Sequence, residues 1–244
     1  MIFCTLTSAA DKTLMRYVNS PRLPDQLFDL LVIDECAQSI EPACWIPLRF
    51  AKKLVMAGDH KQLDATVKSD EASKKGLSLS LFERVMLHEG KVSTMLNEQY
   101  RMHSLIMNWS SHAMYEGELT AHPAVASRTM SQIVKGGQSE GAGEEVLASP
   151  LLFIDTAGAL MYEDIDEQSE NESKFNNGEC DLVVQTLKEL LSYGVRRGDI
   201  GVITPYSAQV NLIKKCVRNC PELHEVPQFG TTVPNIEVST VDGF

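Results

Sequence analysis

No apolar run in this 244-residue chain approaches the ~20 residues that a bilayer-spanning helix needs. The opening Met1-Ile2-Phe3-Cys4-Thr5-Leu6 lacks a basic leader and is too short for a secretory h-region. The six cysteines, Cys4, Cys36, Cys44, Cys180, Cys216 and Cys220, form no CxxC pair, and His60, His88, His103 and His112 show no zinc spacing. Buried free thiols are the simple reading. Positive charge is scarce as well: 22 Lys and Arg stand against 33 Asp and Glu, for a net charge of −11. A protein that holds nucleic acid by bulk electrostatics carries the opposite excess. Any such contact must therefore come from a local groove, from backbone amides, or from a region outside this chain. The missing span, leader and paired cysteines lead us to expect an intracellular protein, in the nucleus or cytoplasm, with no membrane partner.

What is present is ordinary globular material, 43% hydrophobic and 23% charged, long enough for one large domain or two small ones. Phe28 to Ile33 is a short apolar run of the kind buried on both faces of a parallel sheet. A helix over Ser39 to Leu48 follows, with Glu41-Pro42 near its start. Lys53 to Ala57 reads as a second buried strand, ended by Gly58. Leu77 to Leu87 predicts a helix, Val92 to Leu96 a third strand, and His103 to Tyr115 another helix. Trp45 and Trp109 sit among apolar neighbours and read as core.

After Ser127 the pattern loosens. Gly136 to Glu145 is small, polar and unpatterned, a flexible loop, and Leu151 to Asp155 reads as a strand. Glu163 to Asn177 is acidic and Asn-rich, which predicts an exposed loop. Helices over Glu179 to Leu191 and Ser207 to Val217 alternate with strands at Ile200 to Thr204 and Ile236 to Val241. Alternation of this kind means an α/β fold built on parallel sheet.

Chemistry enters where strands end. The first apolar strand terminates in Asp34-Glu35, at the carboxyl edge where open α/β folds bind ligands. One carboxylate there can hold Mg²⁺, and the next can orient and deprotonate a water that attacks a terminal phosphate. Alone, the pattern also describes a strand ending in a surface loop. The second strand ends in Gly58-Asp59-His60-Lys61-Gln62-Leu63. In a parallel pair this loop reaches the same edge, where Gln62 can hydrogen-bond the γ-phosphate or the attacking water; a solvated polar turn is the plainer alternative. In Gln99-Tyr100-Arg101-Met102-His103 a ring able to stack on a base adjoins a guanidinium suited to a phosphate gaining charge.

In combination, DECAQ, GDHKQL and NEQYRMH resemble superfamily 1 helicases of the Upf1-like group, within it the immunoglobulin mu-binding protein 2 type of DNA/RNA helicase. WIPLRFAKKLVMAGDHKQL, GLSLSLFERV, DIGVITPYSAQVNLIK and the closing EVSTVDGF extend the resemblance over nearly the whole chain. It implies two RecA-like parallel-sheet domains of the P-loop NTPase type, both incomplete. Residues 1–98 would be the C-terminal part of the first, and 99–244 the second, truncated at its end. It also implies an ATP-dependent helicase using ATP and Mg²⁺, acting on single-stranded or duplex DNA or RNA, with possible ribonucleoprotein partners. Asp34 would coordinate Mg²⁺, and Glu35 would be the catalytic base. Gln62 and Arg101 would touch the γ-phosphate, with Tyr100 near the adenine. Thr5, Thr7 and Ser8 match the family's nucleic-acid-contacting segment in the first domain; Thr204, Pro205, Tyr206, Ser239 and Thr240 match the contacts in the second. Short Ser/Thr/Pro motifs at strand ends are also ordinary turn chemistry.

Three departures stand out. GxxxxGK[ST] occurs nowhere; the one Gly-Lys pair, Gly90-Lys91, is followed by Val92. Without that loop the chain offers no backbone nest or lysine for the β-phosphate. The family's downstream arginine finger lies past Phe244, and Asp64 stands where proline is usual. A shortened gene model, lacking the beginning and end of the motor, explains this most simply. It predicts exposed apolar sheet edges and poor solubility for the polypeptide alone, and no activity without the phosphate loop. The alternative is a non-catalytic nucleic-acid-binding or protein-interaction module descended from a helicase.

Overall fold

The computed structural model describes residues 1–21, 27–88, 92–134, 146–167, 172–223 and 235–243. They belong to two units, Met1–Leu96 and Asn97–Phe244.

In the first unit, Leu31-Val32-Ile33 forms strand β1 (Leu31–Ile33), and β2 (Leu54–Met56) pairs with it in parallel, Ile33 opposite Met56. Parallel neighbours need a crossover, and the helix Glu41–Leu48 supplies it, with Pro42 in its first turn, where a missing N–H costs nothing. Ser80 caps the helix Leu81–Met86 by accepting from the Glu83 amide. Ile33, Cys36, Cys44 and Leu81 form the core, with Leu6, Leu31, Leu54, Met56, Phe82 and Val85 packed against it. Arg84 Nε and Nη2 donate to the two Glu41 carboxylate oxygens at 2.7 Å each, tying the two helices together.

The second unit begins with β3 (Glu98–Gln99), parallel to β4 (Thr120–Ala121), and the helix Ser104–Met114 lies between them in the chain. Strands β5 (Asp164–Ile165) and β6 (Lys174–Phe175) are antiparallel. Strands β7 (Gly201–Ile203) and β8 (Glu237–Ser239) are parallel. The helices Asn177–Ser192 and Ser207–Asn219 pack on this last pair through Cys180, Val210, Ile213 and Val238. The buried Gln209 side chain accepts from the Asn176 amide at 2.7 Å and donates to the Asn176 carbonyl at 3.2 Å. Both polar ends of that side chain are satisfied inside the core.

Several expectations change. The first strand is not covered on both faces by described residues: Ile33 is buried, whereas Val32 is 59% exposed. Side chains alternate across a strand, and the helical layer sits on one side only. Val92 to Leu96 forms no strand; pairing starts at Glu98. Leu151 to Asp155 also lacks a ladder partner among the described residues, and Phe153 is 85% exposed, because apolar content without a neighbouring strand does not make a sheet. The acidic stretch holds β5 and β6 rather than loop alone. Trp45 and Trp109 lie on outward helix faces, Trp109 being 72% exposed, and Trp45 donates its indole N–H to Glu41. Gly136 to Glu145, Gly90-Lys91, Phe244 and part of the acidic stretch lie outside the described residues. No helix among the described residues is long and apolar enough to cross a membrane.

Candidate functional site

Asp34 and Glu35 stand exposed directly beyond β1. Glu35 adopts a left-handed conformation, φ 50° and ψ 38°, which costs a non-glycine residue roughly 1 kcal/mol or more. This turn starts the short 3₁₀ helix Cys36–Gln38 and lets Asp34 Oδ1 accept from the Glu35 amide at 3.1 Å. Gln38 Nε2 then donates to Glu35 Oε2 at 3.1 Å, steadying the carboxylate while leaving its other oxygen uncommitted by that bond. The strain is concentrated at the residue expected to act on water.

The two strand tips are bound to each other. The Ala57 amide donates to the Ile33 carbonyl, and the Cys36 amide donates to the Ala57 carbonyl, both at 2.9 Å. Gly58 then passes so close beneath the Cys36–Ala37 backbone that a Cβ there would lie 3.0 Å from the Ala37 nitrogen. A glycine is favoured by this approach rather than by its φ. The loop beyond is built on Asp59: Oδ1 accepts from the Lys61 amide at 2.9 Å, and Oδ2 accepts from Gln62 Nε2 at 2.8 Å. Gln62 is exposed and folded back on this carboxylate.

Cys36 and Cys44 sit beneath the first tip, fully buried, their sulfurs 4.0 Å apart. Burial, then the neighbouring thiol, pushes Cys36 up to about 12. It stays a neutral thiol at physiological pH and serves as packing.

In the second unit the Gln99 side chain organises the Tyr100-Arg101-Met102 loop. Its Oε1 accepts from the amides of Arg101 and Met102 at 2.7 and 2.8 Å, and its Nε2 donates to the Met102 carbonyl at 2.7 Å. Arg101 is exposed, its carbonyl accepting from Arg128 Nη2 at 3.4 Å. Tyr100 donates its hydroxyl to Glu98 at 2.9 Å, and that bond to a carboxylate raises the phenol's pKa above its ordinary value. The Tyr100 ring stacks on His122, centroids 4.2 Å apart and planes 24° from parallel.

The hydroxyl-bearing segments are local clusters. Thr5 Oγ1 donates to Ser8 Oγ at 2.8 Å and accepts from the Ser8 amide at 3.2 Å, with Thr7 Oγ1 3.5 Å away. Thr7 and Ser8 open the 3₁₀ helix Thr7–Ala10, and Leu6 beside them packs into the core. Thr204, Pro205 and Tyr206 follow β7, and Ser239 ends β8 with Thr240 just beyond it; the Thr204 amide donates to the Ser239 carbonyl at 3.2 Å, which makes the two strand ends neighbours. Gly243 closes against this spot, where a Cβ would lie 2.6 Å from Ser239 Oγ.

Within each unit, then, topology gathers candidates from separate stretches of sequence: Asp34 and Glu35 beside the Gly58–Gln62 loop, and Thr204 beside Ser239. The supporting contacts of Gln38, Gly58, Gln99 and His122 are not spelled by the motifs. Of these only Gly58 carries a signal, a glycine at the mouth of a strand. Among the described residues no group of three or more His, Cys, Asp or Glu side chains could hold a metal ion. One exposed carboxylate at a strand end still suits Mg²⁺, which takes one or two protein carboxylates and completes its shell with water and phosphate oxygens.

Two AAA domain models match the chain, one over residues 1–70 and the other over residues 77–244. The chain belongs to this family, in the Upf1-like group of superfamily 1 helicases. Its fold is accordingly the α/β architecture of RecA-like, P-loop NTPase domains. It is 44% identical over 223 residues to DNA-binding protein SMUBP-2 of Rattus norvegicus, covering 91% of this chain and 21% of that protein. It is 38% identical over 227 residues to DNA polymerase alpha-associated DNA helicase A of Saccharomyces cerevisiae, covering 90% and 32%. An uncharacterized ATP-dependent helicase of Methanocaldococcus jannaschii is 34% identical over 218 residues, with 89% and 29% covered. The chain thus spans about a fifth to a third of the length of these curated relatives.

Proposed function

We propose that this chain carries the ATP-hydrolysing centre of a nucleic-acid helicase motor, with residues 1–98 forming part of its first RecA-like domain and 99–244 part of its second. The observation that carries this reading is the contact of Gly58 with the Cys36–Ala37 backbone, which holds an acid pair and a polar loop at one sheet edge. Phosphoanhydride hydrolysis needs a positioned water and charge placed where the leaving phosphate gains it.

In this reading Asp34 would hold Mg²⁺, which when bound supplies positive charge to the phosphates. Glu35 takes a proton from the attacking water, its carboxylate steadied by Gln38. Gln62 exchanges its bond to Asp59 for one to the water or γ-phosphate, and so reports the nucleotide state. Arg101 supplies a guanidinium to the γ-phosphate, and Tyr100 meets the adenine. Thr5, Thr7, Ser8, Thr204, Pro205, Tyr206, Ser239 and Thr240 contact the nucleic acid. The relatives' names speak of DNA binding and of ATP-dependent helicases. We extend both to this chain, keeping RNA as an equal substrate and ribonucleoproteins as partners. With a net charge of −11, the grip comes from these local hydroxyls and loops rather than from bulk charge. We take the work to occur inside the cell, a reading with which the six free cysteines are compatible.

The test is Glu35→Gln in the full-length protein. A general base typically contributes ~10²–10⁴ in rate, so turnover should fall at least about 100-fold while ATP still binds. Undiminished hydrolysis would remove Glu35 from this role and favour a non-catalytic binding module.

A further inference from the structure

We infer that His122 is a positioning residue for the nucleotide base, backing the Tyr100 ring so that the ring's opposite face is free to receive the adenine. This rests on the reading that Tyr100 meets the base. The two rings lie 4.2 Å apart and 24° from parallel, so His122 covers one face of the tyrosine. Tyr100 is nonetheless 61% exposed.

Both rings are held by independent anchors. The Tyr100 hydroxyl donates to Glu98, and Gln99 fixes the two amides that follow the ring. His122 is the N-cap residue of the helix Pro123–Ala126, its Nδ1 accepting from the Ala124 amide at 3.2 Å. An Nδ1 that accepts is unprotonated, so a neutral ring carries its proton on Nε2. The cap gives the imidazole a second anchor, and the ring itself backs the tyrosine. Strand pairing delivers the two together, since β3 and β4 run side by side with Gln99 opposite Ala121. An aromatic ring fixed before the ligand arrives avoids the entropy of ordering it on binding. Offset stacks of planar rings add to affinity beyond the area they bury.

His122 combines a ring and a cap, and two substitutions separate them. His122→Asn keeps a capping oxygen and removes the ring; His122→Phe keeps a ring and removes the cap. In the full-length protein, His122→Asn should raise the KM for ATP about 3- to 10-fold, with kcat little changed. His122→Phe should stay within about twofold of wild type in KM, even where its melting temperature falls. Inhibition by inorganic tripolyphosphate, which has no base, should be unaltered by either. In a Tyr100→Ala background, His122→Asn should add nothing.

The inference is overturned if His122→Phe raises KM as much as His122→Asn does, or if tripolyphosphate binding weakens in parallel with ATP. It is also overturned if Tyr100→Ala raises KM and His122→Asn does not; the role of Tyr100 then survives alone. Should Tyr100→Ala leave KM unchanged, the base-binding reading of Tyr100 fails, and the role of His122 falls with it.

Discussion

Gly58 lies against Ala37: a Cβ would come within 3.0 Å of the Ala37 nitrogen and 3.1 Å of the Cys36 nitrogen, so a methyl group fits only if one strand tip gives by a few tenths of an ångström. Both obstacles are backbone, so no rotamer change relieves them. Gly58→Ala should therefore separate the β2 tip from the β1 tip, at a cost of about 1–3 kcal/mol. The Cys36 to Ala57 hydrogen bond would lengthen with it. A lowered melting temperature together with slower ATP turnover is expected. A variant that melts and turns over like wild type would show that the two tips need not touch.

In the second unit the equivalent organiser is a side chain. Gln99 accepts from two successive amides and donates to a carbonyl of the same loop. Gln99→Leu leaves those groups without partners, a loss of about 1–3 kcal/mol for each one that water cannot reach. Gln99→Glu keeps the acceptor and loses only the donor, so it should be the milder change. The expected order in both stability and ATP turnover is wild type, then Gln99→Glu, then Gln99→Leu. Leucine outperforming glutamate in turnover would contradict the organising role.

The motif residues were nominated from sequence because the acid pair, Gln62 and the Tyr100-Arg101 step are spelled contiguously. Their supports were not, because support depends on contacts between distant stretches. Nothing in the sequence near His122 announces a ring beside Tyr100; that neighbour follows only from β3 pairing with β4. Alternation of helix and strand was readable from apolar periodicity, and the helix Asn177–Ser192 came out close to its expected span. Leu151 to Asp155 misled for a physical reason: a strand is defined by a partner, and the described residues give it none. Trp45 and Trp109 misled because size and apolarity set a preference for burial, while helix phase decides the face.

Thiol accessibility offers a separate check on the packing. Burial pushes both Cys36 and Cys180 up to about 12, so neither presents a thiolate at neutral pH. Cys44 is equally buried, and burial raises it too, whereas Cys4 is exposed. Under native conditions a maleimide should label Cys4 and spare Cys36, Cys44 and Cys180; after denaturation all six cysteines should react. Rapid native labelling of Cys36 would mean that the core beneath the acid pair opens.

The Glu41–Arg84 pair gives the fold a dependence on pH whose sign is fixed by its geometry. Hydrogen bonds from Arg84, and then from the Trp45 indole, hold Glu41 below its ordinary value of 4.5. A carboxylate with a depressed folded pKa stabilises the native state above its unfolded pKa. That contribution is lost as pH falls through the lower folded value. Glu41→Gln should therefore melt below wild type at neutral pH, and the difference should shrink steadily as the pH drops below 4.5. Both side chains are partly exposed, so added salt should narrow the gap as well. The measurement is a pair of melting curves taken across acidic pH. A gap that widened on acidification would require the folded pKa of Glu41 to lie above its unfolded value, which is incompatible with two 2.7 Å bonds from one guanidinium.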